Sequence, residues 1–314
     1  MLRLVAVFLL VIAASPTYTV LLIAVFASGI TTIVPQLIVP YAAQLALPEE
    51  RGKIIGNVMS GLFIGILLSR TFSGFLGSMF GWRVVYLLAA LLIVILSILI
   101  RYLFPQSEAA SKLSYKNLLS SLPVLFRSER CVREASLCGF LMFGSFSAFW
   151  VSLIFLLETP LYGMGAREAG LFGLAGAAGA FAAPLVGKAA DKKSPRFTVG
   201  IGIVLSTAAY ICYTLFGFHL WGLIVGVLIL DLGNQSAQVS NMARVQALGD
   251  EVRSRNHTIY MFSYFIGGAF GSFFGTIFWQ YFGWYGVCGV GLAFQGAALF
   301  SHFIIYRNRN DNLA

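Results

Sequence analysis

Charge is scarce in this chain. Only 11% of its 314 residues are Asp, Glu, Lys or Arg, and 59% are hydrophobic; soluble domains carry about 25% charge. The mean hydropathy of +0.85 agrees. A soluble globule is thereby excluded. Cysteine is scarce as well. Cys131, Cys138, Cys212 and Cys288 form no CxxC pair and no Cys/His cluster, so no zinc site, haem attachment or disulfide framework is expected, and the four read as small apolar packing residues. His219, His257 and His302 share no ligand spacing, so no metal is expected. There is no P-loop, nucleophile elbow or HExxH, which argues against an ATP-driven or hydrolytic enzyme and calls for no cofactor. A cleavable leader is not evident: Leu4–Ala14 has the length of an apolar leader core, but its flank carries only Arg3.

What the chain has instead is apolar runs of about 20 residues, the length a helix needs to cross a bilayer core. The reading is an all-α polytopic membrane protein. A short helix is expected to Ala14, with longer ones over Thr19–Leu45, Ile54–Met79, Val84–Leu103, Glu134–Leu157, Ala166–Ala189, Phe197–Phe216, Leu220–Val245, His257–Trp279 and Tyr285–Tyr306. The polar stretch Pro105–Val132, with Pro123 and a short surface helix expected near Tyr115–Phe126, is the longest connection. It divides the chain into 1–104, a loop 105–132, and 133–314.

Basic residues orient these helices. With Pro105–Val132 on the cytoplasmic side and the helices alternating, 18 Lys and Arg fall on that side, Arg83 and Arg167 fall on the other, and Arg70 lies inside a helix. This places the C-terminus in the cytoplasm. It also accounts for the net charge of +9 without a nucleic-acid partner.

The sequence repeats. Gln44–Val85 lies on Gln246–Val287 without a gap at an offset of 202. Glu49, Arg51 and Met59 meet Glu251, Arg253 and Met261. Phe63-Ile64-Gly65 meets Phe265-Ile266-Gly267, and Phe80-Gly81-Trp82 meets Phe282-Gly283-Trp284. A parallel duplication in a membrane protein is the mark of a two-halved transporter. The offset puts the partner of the second half's start roughly 70 residues before Met1, so the expectation is a transporter lacking its front.

Three motifs then resemble the major facilitator superfamily. The first is Gly187-Lys-Ala-Ala-Asp191-Lys192-Lys193-Ser194-Pro195-Arg196, similar to the family's GxxxD(R/K)xG(R/K)(R/K) loop, with Ser194 and Pro195 departing from it. The second is Gly61-Leu-Phe-Ile-Gly65 with Gly74-Phe-Leu-Gly77, similar to the glycine-rich motif of helix five, although Ser69-Arg70 replaces its Gly-Pro. The third is the turn Gly81-Trp82-Arg83 and its copy Gly283-Trp284-Tyr285. The resemblance implies helices three (in part) to six over 1–104 and a six-helix bundle, seven to twelve, over 133–314. It also implies a gating role for Gly187, Asp191, Lys192, Lys193 and Arg196. The family's helix-four arginine falls on Val25, so no coupling role carries over there.

Asp231 stands about midway along its helix, where insertion of a carboxylate costs about 2.5–3.5 kcal/mol. Asn234, Gln235, Gln238 and Asn241 follow it at i+3, i+4, i+7 and i+10, one polar stripe. Two readings stand: a substrate or proton path, or hydrogen-bond glue between helices. Arg70, permanently charged, would bind an anion or pair with a carboxylate such as Asp231 or Glu158. Gln36, between Pro35 and Pro40, would line a path or sit at a structural kink. Glu158, near an outer helix end, reads as solvated surface or as a coupling group. The rows Gly170/Gly173/Gly176/Gly179 and Gly267/Gly271/Gly275, with Gly61, Gly65, Gly74 and Gly77, read as helix-packing positions.

The expected function is secondary transport of a small solute, coupled to protons and directed outward, by a monomer in the bacterial inner membrane. The alternative is a nonfunctional remnant of such a transporter.

Overall fold

The computed structural model describes residues 1–32, 38, 41, 51–103, 115–176, 178, 194–249 and 252–306. It is built from helices. In chain order they are α1 (Leu2–Ala14), α2 (Tyr18–Thr31), α3 (Arg51–Phe80), α4 (Trp82–Leu103), α5 (Tyr115–Ser128), α6 (Arg130–Leu157), α7 (Pro195–Phe216), α8 (Leu220–Gln246) and α9 (Arg253–Phe300), which ends in a π turn at Ser301–Ile305. Residues 166–176 are also helical. Among the described residues, five helices are long and apolar enough to cross a membrane: α4, α6, α7, α8 and α9 with its π turn.

Two compact units form. One comprises Met1–Ala110 with Gly165–Gly173, the other Ser111–Met164 with Leu174–Ala314. In the first, α1 packs on α4 and α2. Thr17 caps α2 by accepting from Val20 N–H at 3.4 Å. The expected single helix Thr19–Leu45 is interrupted: α2 stops at Thr31, and Thr32 takes φ −83°, ψ 57°; Ile38 and Tyr41 are again helical, and the rest of 33–45 lies outside the described residues. The hydroxyls of Thr31 and Thr32 both bond back to the carbonyl of Ser28, a local competition that favours termination. Gly74 meets the segment 165–173 closely, since a Cβ there would lie 2.6 Å from the Ala166 carbonyl. Thr71 donates to the Gly170 carbonyl at 3.4 Å.

In the second unit α6 packs chiefly on α9, and α7 chiefly on α8. Glycine makes both contacts close. A Cβ on Gly267 would collide with the Phe140 carbonyl, and one on Gly271 with that of Gly144. Gly275 sits over Ala148, and Gly202 and Gly233 meet each other's carbonyls across α7 and α8. Small residues let these backbones approach where lipid supplies no hydrophobic drive between helices. A Cβ added at Gly61 or Gly65 would meet nothing within 4 Å, and one at Gly77 would make only ordinary contact. Ser194 and Pro195, the two departures from the loop motif, start α7. Ser194 Oγ accepts from Phe197 N–H at 3.2 Å, and proline takes the first helical position, where no N–H is needed.

The turn glycines of the two repeats both take positive φ. Gly81 has φ 81° and Gly283 φ 58°, the left-handed region that only glycine enters freely. The expected break between His257–Trp279 and Tyr285–Tyr306 is therefore a single residue, and helix runs on from both sides of Gly283.

Candidate functional site

The polar stripe of α8 faces inward within the second unit. Asp231, Asn234 and Asn241 are buried, and Gln235 and Gln238 are half-buried. Asn234, Gln238 and Asn241 line a crevice with Gly139 and Met142 of α6 and Tyr260 and Tyr264 of α9. The crevice is narrow, leaving no space that a water-sized sphere can enter. Deeper along α8, the Asp231 carboxylate lies against Gly176. A Cβ there would stand 2.9 Å from Asp231 Oδ2 and 3.1 Å from Trp150 Cζ2, so glycine leaves the room the carboxylate occupies. Tyr213 of α7 and Tyr264 of α9 both lie within electrostatic reach of Asp231.

An aromatic ladder runs beside the stripe. Phe143 stacks on Tyr264 at 4.0 Å between centroids and on Phe146 at 5.8 Å, and Phe146 meets Trp150 at 6.1 Å. Tyr264 is the ladder residue that reaches the crevice, opposite the amides of α8.

Those amides bear on the choice between glue and path. Glue would show paired polar atoms across the helix contact. Asn234 faces the Tyr264 hydroxyl, yet among the described residues neither its side-chain oxygen nor its nitrogen makes a well-aligned hydrogen bond. The Tyr260 hydroxyl on the same crevice is likewise without a partner among the described residues. A buried amide or hydroxyl left so costs about 1–3 kcal/mol.

The other end of the stripe joins an ionic cluster. Asn241 Oδ1 accepts from Arg244 at 3.2 Å. Arg244 Nη2 donates to Glu134 Oε2 of α6 at 2.6 Å, and Arg196 Nε of α7 to Glu134 Oε1 at 2.9 Å. His302 Nδ1, in the π turn, lies 3.1 Å from the same oxygen. Arg196 also donates to the carbonyls of His302 and Tyr306 at 2.8 and 2.6 Å, satisfying acceptors that a helix end leaves open. One carboxylate thus gathers α6, α7, α8 and the end of α9.

Of the five residues expected to gate, Arg196 alone is described, in this cluster; Gly187, Asp191, Lys192 and Lys193 lie outside the described residues, as does Gln36. Arg70 belongs to α3, with its side chain outside what is described. Glu158 is an exposed residue at the end of α6.

Glu134, Arg244 and His302 were not singled out from the sequence as a site. A signal existed. Glu134 is the one acid in α6, and the basic-residue count already put the ends of α7 and α8 on its side.

Comparison with known proteins matches this architecture. Residues 1–272 match the family model described as Major Facilitator Superfamily. The uncharacterized transporter YgaY of Escherichia coli O157:H7 is 38% identical over 283 residues, 90% of this chain and 72% of that protein. Among solved structures, a mutant of the nucleoside transporter NupG superposes with TM-score 0.69 at 14% identity, covering 96% of this chain and 80% of its own. A mutant of the E. coli fucose:proton symporter FucP does so with TM-score 0.60 at 15% identity, covering 98% and 82%. Apolar spans, a duplicated helix–turn–helix and a polar stripe inside a helical bundle are thus assembled in the manner of a solute carrier and not of an enzyme, and the chain belongs to the major facilitator superfamily of membrane transporters.

Proposed function

We propose that this chain carries a small polar solute across the bacterial inner membrane by proton-coupled exchange, as an exporter, with the α8 stripe as its path. Asp231 is the proton carrier. It is a carboxylate held at mid-span, where an acid is costly to insert and marks a functional position. Asn234, Gln235, Gln238 and Asn241 supply donors and acceptors to the solute, and Arg70 and Gln36 are proposed to belong to the same path. The observation that carries the reading is Asn234, buried in a membrane span with neither polar side-chain atom well bonded. Proton coupling is also the mode of FucP, a fucose:proton symporter.

The Glu134 cluster is proposed to hold the helix ends in one arrangement while the crevice is closed. The motif loop Gly187, Asp191, Lys192 and Lys193, which leads into Arg196, would act with it. Breaking and remaking such contacts is one way that packed helices switch between two states. The C-terminus is proposed to be cytoplasmic and the protein monomeric.

The test uses proteoliposomes loaded with a pH-sensitive dye. A panel of nucleosides, hexoses and organic cations is added outside. Under exchange, an entering solute drives protons out and the lumen turns alkaline; symport would acidify it. Asp231→Asn should abolish the proton signal while Asn234→Ala weakens solute dependence. Solute-dependent proton flux unchanged in Asp231→Asn would remove Asp231 from the mechanism. No flux with any solute, from protein shown to be folded, would overturn the reading.

A further inference from the structure

α5 has no part in the path, yet it is built for a partner. It is a 14-residue helix in which Leu119, Pro123 and Phe126, at i, i+4 and i+7, share one face. That face is uncovered: Leu119 is 48% exposed and Phe126 39%. Leu122 and Leu125, toward the margin, are half-buried, and α5 packs on α6 and α9. One side of the helix is held by protein and the other is bare and apolar.

Its position is fixed. Only Glu129 separates the end of α5 at Ser128 from the start of α6 at Arg130, and α6 is long and apolar enough to span the membrane. Arg133 of α6 donates through Nη1 to the carbonyls of both Phe126 and Arg127, capping α5 and setting its angle to the span. A helix so tethered stays at the membrane boundary. The charge around it has one sign: residues 111–133 carry five Lys or Arg (Lys112, Lys116, Arg127, Arg130 and Arg133) against the single acid Glu129. Arg127 and Arg130 are exposed.

We propose that α5 is an in-plane surface helix that inserts Leu119 and Phe126 into the adjoining leaflet and holds anionic lipid headgroups with Arg127 and Arg130. An apolar strip bordered by basic residues is the composition that binds anionic bilayers. The occupant is the lipid surface, because the span next to α5 already lies in it.

The test places an environment-sensitive fluorophore at Leu119→Cys or Val124→Cys in a cysteine-free full chain. Val124, 65% exposed, lies about 140° round the helix from Leu119, away from the strip. Vesicles are phosphatidylcholine alone or mixed with phosphatidylglycerol. Brominated lipid should quench the probe at 119 and aqueous iodide the probe at 124. Lipid quenching at 119 should rise by about twofold with phosphatidylglycerol. Arg127→Gln with Arg130→Gln should remove that rise and leave quenching in phosphatidylcholine unchanged. Iodide quenching at 119 equal to that at 124 would overturn insertion. Shielding of 119 from both quenchers would point to a protein partner and overturn it too. Equal quenching in the two lipid mixtures would overturn the anionic preference.

Discussion

The two copies of the repeat make the same turn and then meet different surroundings. Gly81 and Gly283 both take positive φ, so the shared Phe-Gly-Trp encodes one local bend. Beyond it the copies diverge. Trp284 is 3% exposed and its Nε1 donates to the Tyr213 carbonyl at 3.1 Å. Trp82 is 41% exposed, with the Arg83 guanidinium over its ring at 4.4 Å. Gly267 is pressed against the Phe140 carbonyl, whereas its equivalent Gly65 has open space beside it among the described residues. Ala90 is the one described residue buried in α4, whereas the equivalent stretch of α9 buries Trp284, Val287, Cys288, Val290, Gln295 and Ala298. A repeat therefore specifies its turn by itself. Burial is specified by the helices beside it, here α6 and α7 in the second unit.

The largest expected effect tests what locks those neighbours. Glu134 has a side chain 6% exposed and two arginine partners. Removing one partner of a buried ion pair costs about 3–5 kcal/mol, because the remaining charges are left uncompensated. Glu134→Gln should lower stability by about that much in SDS-titration unfolding of the purified protein. Arg83→Gln, which in the first unit loses a 3.2 Å bond to the Ser15 carbonyl, should cost about 1 kcal/mol or less. Similar losses for both would mean that the cluster is no lock.

Next come the packing glycines. Gly271→Ala drives a Cβ into the Gly144 carbonyl, a backbone group that cannot swing away, and overpacking of this kind costs about 1–3 kcal/mol. Gly65→Ala, in the first copy, has open space and gains about 0.5–1 kcal/mol of helix propensity. The sign should reverse between the two variants in the same unfolding assay. Two losses of equal size would show that Gly65 has a close neighbour in the membrane. The turn glycines should not differ so in sign: Gly81→Ala and Gly283→Ala each place a side chain at positive φ and should each cost about 1–3 kcal/mol.

The membrane class, the described helices after Ile54 and the repeat were legible in the sequence, because apolar length and a constant offset are one-dimensional signals; of the expected helix Ala166–Ala189, residues 177 and 179–189 lie outside the described ones. The polar stripe was legible for the same reason: Asp231 to Asn241 recur at helical spacing on one element. What meets the stripe was not. Gly176 lies under Asp231 and Tyr264 opposite Asn234, each from another part of the chain. Glu134 joins Arg196 and Arg244 from 62 and 110 positions away. No local pattern records such pairings. The end of α2 was missed because an apolar run does not show that Thr31 and Thr32 turn their hydroxyls onto the backbone.

The smallest expected effect sharpens the opening contrast most, because it changes one atom's bonding in two equivalent residues. Trp284→Phe keeps an aromatic ring among Phe149 and Tyr213, which it meets edge-on at 6.0 and 5.9 Å, and deletes an N–H donated to the Tyr213 carbonyl, which also accepts from Gly217 N–H at 2.9 Å. The expected loss is about 1 kcal/mol, the net value of a buried hydrogen bond. Trp82→Phe weakens a cation–π contact at a site 41% exposed, where such contacts contribute about 0.5–1 kcal/mol and phenylalanine retains part. The difference between the two variants should therefore be about half a kcal/mol or more, with Trp284 the larger. Equal losses would mean that the indole N–H at 284 adds nothing. The second copy's advantage would then rest on close glycine packing and the Glu134 cluster alone.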